Sequence, residues 1–241
     1  MMRSGNPALK GDVFARVGTW DSSGVMSIQG TANKTFVLLM LVVIGAYLAW
    51  ANPERLLPFI WPLVIGGFIV ALVTIFKKEW SPLTSPIYAL IEGLILGAIS
   101  AVFERSYPGV VVQAVALTFG VLFSLLLAYK SRLIQPSENF KLGVVAATGG
   151  IAVVYFIDII MGLFGRRIPF IHENGMVGIG FSIFIVIIAS LNLVLDFDFI
   201  EQGAESGAPK YMEWYGAFGL MVTLIWLYLE IIRLLAKTRR R

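Results

Sequence analysis

Seven continuous apolar segments dominate this sequence, and each is close to the ~20 residues that cross the hydrocarbon core of a bilayer as a helix. They run approximately over residues 35–50, 57–76, 87–103, 110–129, 142–164, 176–195 and 214–235. The segments are apolar throughout rather than alternating, which argues against a membrane β-barrel. With 58% hydrophobic and 14% charged residues, the chain reads as an all-α polytopic membrane protein, a seven-transmembrane-helix bundle. Prolines mark most breaks: Pro53, Pro82 with Pro86, Pro108, Pro136, Pro169 and Pro209. Proline lacks an N–H and restricts its predecessor, so these positions are expected to be helix ends. Pro62 falls near the start of the second segment, where a first-turn proline is tolerated.

Composition narrows the chemistry. The absence of cysteine excludes disulfides, thiolate metal sites and a cysteine nucleophile. The single histidine, His172, excludes a multi-histidine metal site within one chain. A net charge of +4 is too small to indicate nucleic acid and fits membrane-facing tails. Residues 1–34 are polar and lack the pattern of a signal peptide. They are expected to form a soluble tail, with a short amphipathic turn around Val13 to Val17. The membrane domain then spans 35–236, and 237–241 is a basic C-terminal tail.

Lysine and arginine outside the bilayer set orientation. A cytoplasmic N-terminus in the cell inner (plasma) membrane puts Arg3, Lys10, Arg16, Lys34, Lys77, Lys78, Lys130, Arg132, Lys141 and Lys210 inside. Only Arg55, Arg105, Arg166 and Arg167 then lie outside, until the C-terminal residues Arg233, Lys237, Arg239, Arg240 and Arg241 break the pattern. Six spans and one re-entrant segment would return those residues to the inner side. Seven spans are favoured because every segment has full length. Gly93 and Gly97 form a GxxxG pair, and Gly66-Gly67 and Gly149-Gly150 mark two more points of close approach. Helix packing is the plainer reading of all three, and a substrate path beside a glycine pair is the other.

Acids at membrane depth are costly, so one that faces a bundle interior is a functional candidate. The run Ser190-Leu191-Asn192-Leu193-Val194-Leu195-Asp196-Phe197-Asp198-Phe199-Ile200-Glu201-Gln202 holds the strongest. Asn192 and Asp196 share a helix face, while Asp198, Glu201 and Glu205 share another. An acid opposes the helix dipole at a C-terminus, so Asp196 fits better if the sixth helix continues through Glu201. Glu92 either pairs with Lys77 or Lys78 or lines a cavity. Asp158 either bonds Tyr155 or lies near the outer mouth of a pore. Glu230 has Arg233 three residues on and Lys237 one turn further, with Thr223 and Trp226 on its face.

The order of segments, the run from Ser190 to Gln202 and the sequence Leu227-Tyr228-Leu229-Glu230 resemble the Bax inhibitor-1 family, the YccA-like or transmembrane Bax inhibitor motif group. The N-terminal Arg3-Ser4-Gly5-Asn6-Pro7-Ala8-Leu9 is similar to its bacterial branch. The resemblance implies a bundle with the last helix central. It also implies a proton-sensitive carboxyl pair, from the sixth and seventh helices, associated with calcium leak. Asp196 matches the first member and Glu230 the second, where a family relative has aspartate. Asp198 falls where that relative has an amide. Lys77 or Lys78 could stand for a second-helix arginine. Gly66 or Gly67 falls where the relative has a second-helix glutamate, for which Glu92 could compensate from the next helix.

The expected function is therefore a pH-sensitive calcium leak, and the chain is read as a non-enzyme with no cofactor beyond transient calcium. Two like charges ~4 Å apart repel by about 4 kcal/mol at an effective dielectric near 20. Asp196 and Glu230 would share a proton as a latch and, without it, admit calcium weakly, because two carboxylates fall short of the 6–8 oxygens of a tight site. Asn192, Asp198, Glu92, Asp158, Lys77, Lys78 and Arg233 are the candidate pore or supporting residues. Contact carries a condition. If a straight helix starts at Trp214, Glu230 lies about 24 Å along it at 1.5 Å per residue, out of reach of Asp196. The span would have to start near Gly219, with Tyr211, Trp214 and Tyr215 in an interfacial belt. The main alternative is a regulatory protein that binds another membrane protein, such as a quality-control protease, as the resemblance allows. A proton-coupled transporter comes third. An intramembrane hydrolase comes last, since outside the Asp196–Glu230 pair no nucleophile has a base.

Overall fold

Lipid offers backbone N–H and C=O groups no partner but each other, so long apolar segments fold as helices. The computed structural model describes residues 2–3, 10–11, 24–51, 53–173 and 175–239. The turn expected near Val13 to Val17 lies outside them. Seven helices are long and apolar enough to cross a membrane. They are α1 (Ile28–Ala51), α2 (Pro53–Phe76), α3 (Ser81–Ser106), α4 (Val110–Lys130), α5 (Glu138–Leu163), α6 (Met176–Glu205) and α7 (Met212–Arg239). Two-residue strands Met2–Arg3 and Lys10–Gly11 pair ahead of them.

Helix ends follow local chemistry. Ser137 caps α5 by accepting from Phe140 N. The Glu104 carboxylate accepts from Val111 N at 3.1 Å and so satisfies a free donor at the start of α4. Gly109 and Gly207 adopt φ of +81° and +69° in the α3–α4 and α6–α7 connections, conformations that a Cβ disfavours.

Successive helices run in opposite directions, and polar contacts fix which ends share a face. The starts of α1 and α7 meet where Met26 N donates to Ala208 O (2.7 Å) and Ser27 N to Glu213 (2.9 Å). The start of α3 joins them through Ser81 Oγ, which donates to Tyr211 O. This is the near face. At the far face, Arg239 at the end of α7 donates to Pro108 O, beside the start of α4. The most apolar stretch of α7 is 67% buried, against 11% for those of α2 and α5. The last helix is thus central. It packs against α1, α3, α4 and α6, while α2 rests on α3 and α5 on α6.

Three expectations about the helices change. Pro86 does not end a helix: α3 runs through it from Ser81. Hydroxyls of Ser81, Thr84 and Ser85 bond Tyr211 O, Trp80 O and Trp214 O around this stretch, and packing of this kind makes an internal proline tolerable in membrane helices. The first helix starts at Ile28, ahead of the apolar run that begins at Thr35. The last starts at Met212, not Gly219, so Tyr215 is no interfacial anchor. It is buried between Phe199 and Phe218, with Lys78 over its ring.

The GxxxG pair is a packing device. A Cβ on Gly93 or Gly97 would run into the α1 backbone at Val42 and Ala46, and one on Gly45 would lie 2.8 Å from Leu90 O. Gly67 faces Ile91 and Glu92 on α3, but Gly66, Gly149 and Gly150 have open space and mark no close approach. Backbone cannot yield as a flexible side chain can. Gly97→Val is therefore expected to lower the melting temperature in detergent markedly, at a cost of about 1–3 kcal/mol or more from overpacking. Gly149→Ala is expected to leave it essentially unchanged.

Candidate functional site

Because α6 continues to Glu205, Asp196 lies inside the helix rather than at its end. It is fully buried against α7, as is Asn192 one turn earlier. The Asn192 amide donates to Thr148 Oγ1 of α5 (2.8 Å) and to Ile188 O (2.9 Å). Its Oδ1 and both carboxylate oxygens of Asp196 have no hydrogen-bond partner among the described residues. The Thr223 hydroxyl of α7 is the polar neighbour of the Asp196 carboxyl. A carboxyl at this depth normally finds partners, because an unpaired charge there costs several kcal/mol. Three acceptor atoms without a hydrogen-bond partner on adjacent turns of one helix make this the least satisfied point among the described residues.

Glu230 is satisfied instead. It accepts from Tyr155 of α5 at 2.8 Å and from Arg233 at 3.0 and 3.1 Å, and Arg233 also donates to the Tyr155 hydroxyl at 2.6 Å. The expected hydrogen-bonded latch between Asp196 and Glu230 is not made. Since α7 starts at Met212, Thr223 sits at the level of Asp196, and Glu230 follows two turns later, about 10 Å along the axis. The two acids occupy successive levels of one polar seam between α5, α6 and α7.

The seam continues to both ends. Towards the near face, Asp198 pairs with Lys141 of α5 at 2.7 Å, and Glu201 pairs with Arg132 at 2.8 Å and accepts from Tyr129. The α6 face that carries Asp198, Glu201 and Glu205 therefore ties down α4 and α5, and only Glu205 in it is exposed. Arg132 adopts φ +60°, an uncommon conformation for a residue with a Cβ. A cavity of about 280 Å³ opens here between Tyr129, Arg132, Gln135 and Asp198. Towards the far face, the Lys237 ammonium is buried and donates to Gly178 O (3.0 Å) and Ser182 Oγ (2.8 Å) of α6.

The other candidates lie elsewhere. Asp158 accepts from Ile168 N at 2.9 Å, fastening the connection after α5. Glu92 lies beside Tyr88 and against Gly67 of α2, where an added Cβ would come within 3.4 Å of its Oε1. It thus fills space that a larger α2 residue would take. Lys77 is exposed near the end of α2. Among the described residues, no group of three or more His, Cys, Asp or Glu side chains comes together as a metal site.

Sequence reasoning places three buried charges, Lys141, Glu213 and Lys237, outside the membrane helices. Glu213, inside the assumed loop, is fully buried and binds Lys34, Ser27 and Lys210. Gly30 makes room for it, since a Cβ there would overlap the carboxylate. Lys237 falls in the stretch that reads as a solvated tail. The 230–233–237 spacing is the signal that it shares a helix face with Glu230.

A family model described as Bax inhibitor 1 like matches residues 6–240. No curated protein matches the chain.

Removing one partner of a buried ion pair strands the other. Lys34→Met leaves Glu213 with Ser27 and the more exposed Lys210, and should destabilise the bundle by on the order of 3 kcal/mol. The readout is a lower melting temperature of purified protein. An unchanged value would show that the near-face lock contributes nothing to stability.

Proposed function

The chain belongs to the Bax inhibitor 1 like family, and from that premise we propose that it is a proton-controlled calcium leak protein in which Asp196 is the titrating, cation-attracting group. It resides in the inner membrane with the near face cytoplasmic, in keeping with the exposed basic residues Lys77 and Lys130 at that end. One observation carries the reading: a fully buried carboxyl, at the centre of the bundle, whose two oxygens have no hydrogen-bond partner among the described residues. A proton neutralises it and a passing cation uses it. Calcium is a hard ion that takes oxygen ligands, and Asn192 Oδ1 one turn away offers a third free oxygen. So small a set suits passage rather than storage, because conduction needs sites weak enough to leave. Glu230 acts one level away, held by Arg233 and Tyr155. Proton control then rests on Asp196 rather than on a hydrogen bond shared with Glu230.

The sign of the pH response follows. Protonation removes the charge of Asp196, so flux rises with pH and falls on acidification. In proteoliposomes, Asp196→Asn should reduce calcium flux at neutral pH at least tenfold and flatten its pH dependence. Flux and pH response equal to wild type would overturn the reading.

The near-face lock favours a second reading, a regulator that binds other membrane proteins through its N-terminal tail. Ser27 and Lys34 tie the root of that tail to Glu213 on α7, so a partner's grip would reach the central helix. Deletion of residues 1–23 spares those contacts. It should abolish capture of a membrane protease and leave calcium flux intact if this reading holds; flux lost with the tail would count against it.

A further inference from the structure

The two levels of the polar seam are separated by an apolar layer. Ile151 of α5 and Ile185 and Ile188 of α6 are buried together, with Trp226 of α7 packed against them. On the near side lie Thr148, Asn192 and Asp196. On the far side lie Tyr155, Glu230 and Arg233, then Ser182 with Lys237. The register agrees on every helix: Thr148, Ile151, Tyr155 on α5; Asn192, Ile188 and Ile185, Ser182 on α6; Thr223, Trp226, Glu230 on α7. The far level opens to the outside of the bundle, since the Arg233 side chain is 39% exposed. Beneath the near level lies the cavity beside Asp198. The isoleucines between them are 1–8% exposed.

We propose that Ile151, Ile185, Ile188 and Trp226 form the water seal of the α5–α6–α7 seam, so that the Asn192–Asp196 level communicates with the near face alone and the Glu230–Arg233 level with the far face alone. The inference rests on the reading of the seam as a cation path and names the barrier in it. An apolar layer of this kind blocks ions by staying dry, and needs no plug of charge to do so. It also explains why two acids on adjacent levels can differ in partners: Glu230 sits with a cation at a wetted mouth, while Asp196 sits behind the seal. Ions cross when α5 shifts enough to admit a continuous column of water.

The chain has no cysteine, so one introduced thiol reports alone. In oriented membrane vesicles, Thr148→Cys should react with a membrane-impermeant cationic thiol reagent from the near face only. With Ile151→Ser and Ile188→Ser added, it should react from both faces, at rates within about tenfold of each other. Ile151→Val with Ile188→Val should preserve the one-sided reaction. Where the double serine variant does not fold, Trp226→Ala opens the same layer from α7 and is read in its place. Reaction from the far face with the seal intact, reaction from neither face, or a one-sided reaction that survives the opened layer would each overturn the proposal. Labelling reads water, not calcium, so the two readings separate. A normal flux in Asp196→Asn with a working seal removes the leak reading alone. A flux lost in Asp196→Asn with labelling indifferent to the isoleucines removes the seal alone.

Discussion

A carboxylate carried to bilayer depth must be paired, neutralised or put to use, because its hydration is otherwise lost without return. Three acids of this bundle meet that constraint in two ways. Glu213 is fully buried but surrounded by Lys34, Lys210 and Ser27. Glu230 is buried with Arg233 and Tyr155. Asp196 is buried with no hydrogen-bond partner among the described residues. The first holds the start of α7 and the second its far half. The third is left at its middle, where structural need alone would have favoured a leucine.

How much of this the sequence discloses depends on the range of each force. Hydropathy is summed over a whole span, so seven crossings and their order are legible, to within a few residues at most ends. It fails where polar residues enter the bundle. Ile28 to Lys34 looks like tail because Gln29, Asn33 and Lys34 are polar, yet Lys34 is needed by Glu213, 179 residues away. Met212 to Trp214 looks like loop for the same reason. Pro86 looks like a stop because proline's local cost is visible and the compensating hydroxyl contacts with Tyr211 O and Trp214 O are not. Asp196 stands out because it breaks a local rule of helix polarity. What it touches depends on where α7 begins, and that register lies in long-range pairs no window can read.

The basic C-terminus shows the same limit. The cations at the far end contradict the orientation drawn from the rest of the chain. Arg233 neutralises Glu230, Lys237 fills an acceptor site on α6, and Arg239 bonds Pro108 O and Gln113. The positive-inside rule counts charges offered to the membrane surface. Charges spent inside the fold carry little topological information, and that discount applies to Arg233 and Lys237 at the far end as it does to Lys34, Lys141 and Arg132 at the near end.

The distribution of these contacts also decides which helix can move. Sliding α7 would break the Glu213 lock at one end, or the Lys237 and Arg239 contacts at the other, and strip a helix whose most apolar stretch is 67% buried. Displacing α5 is much cheaper. Only 11% of its most apolar stretch is buried, and it is tied to the bundle through Lys141–Asp198, Thr148–Asn192 and Tyr155–Glu230. Hydrogen bonds between membrane helices contribute only about 0.6 kcal/mol each on average, and water entering the seam can replace them. Lipid then covers the outer face of α5 equally well before and after the shift. The apolar contact that resists opening is the layer at Ile151, so the barrier to water and the barrier to motion are the same few side chains.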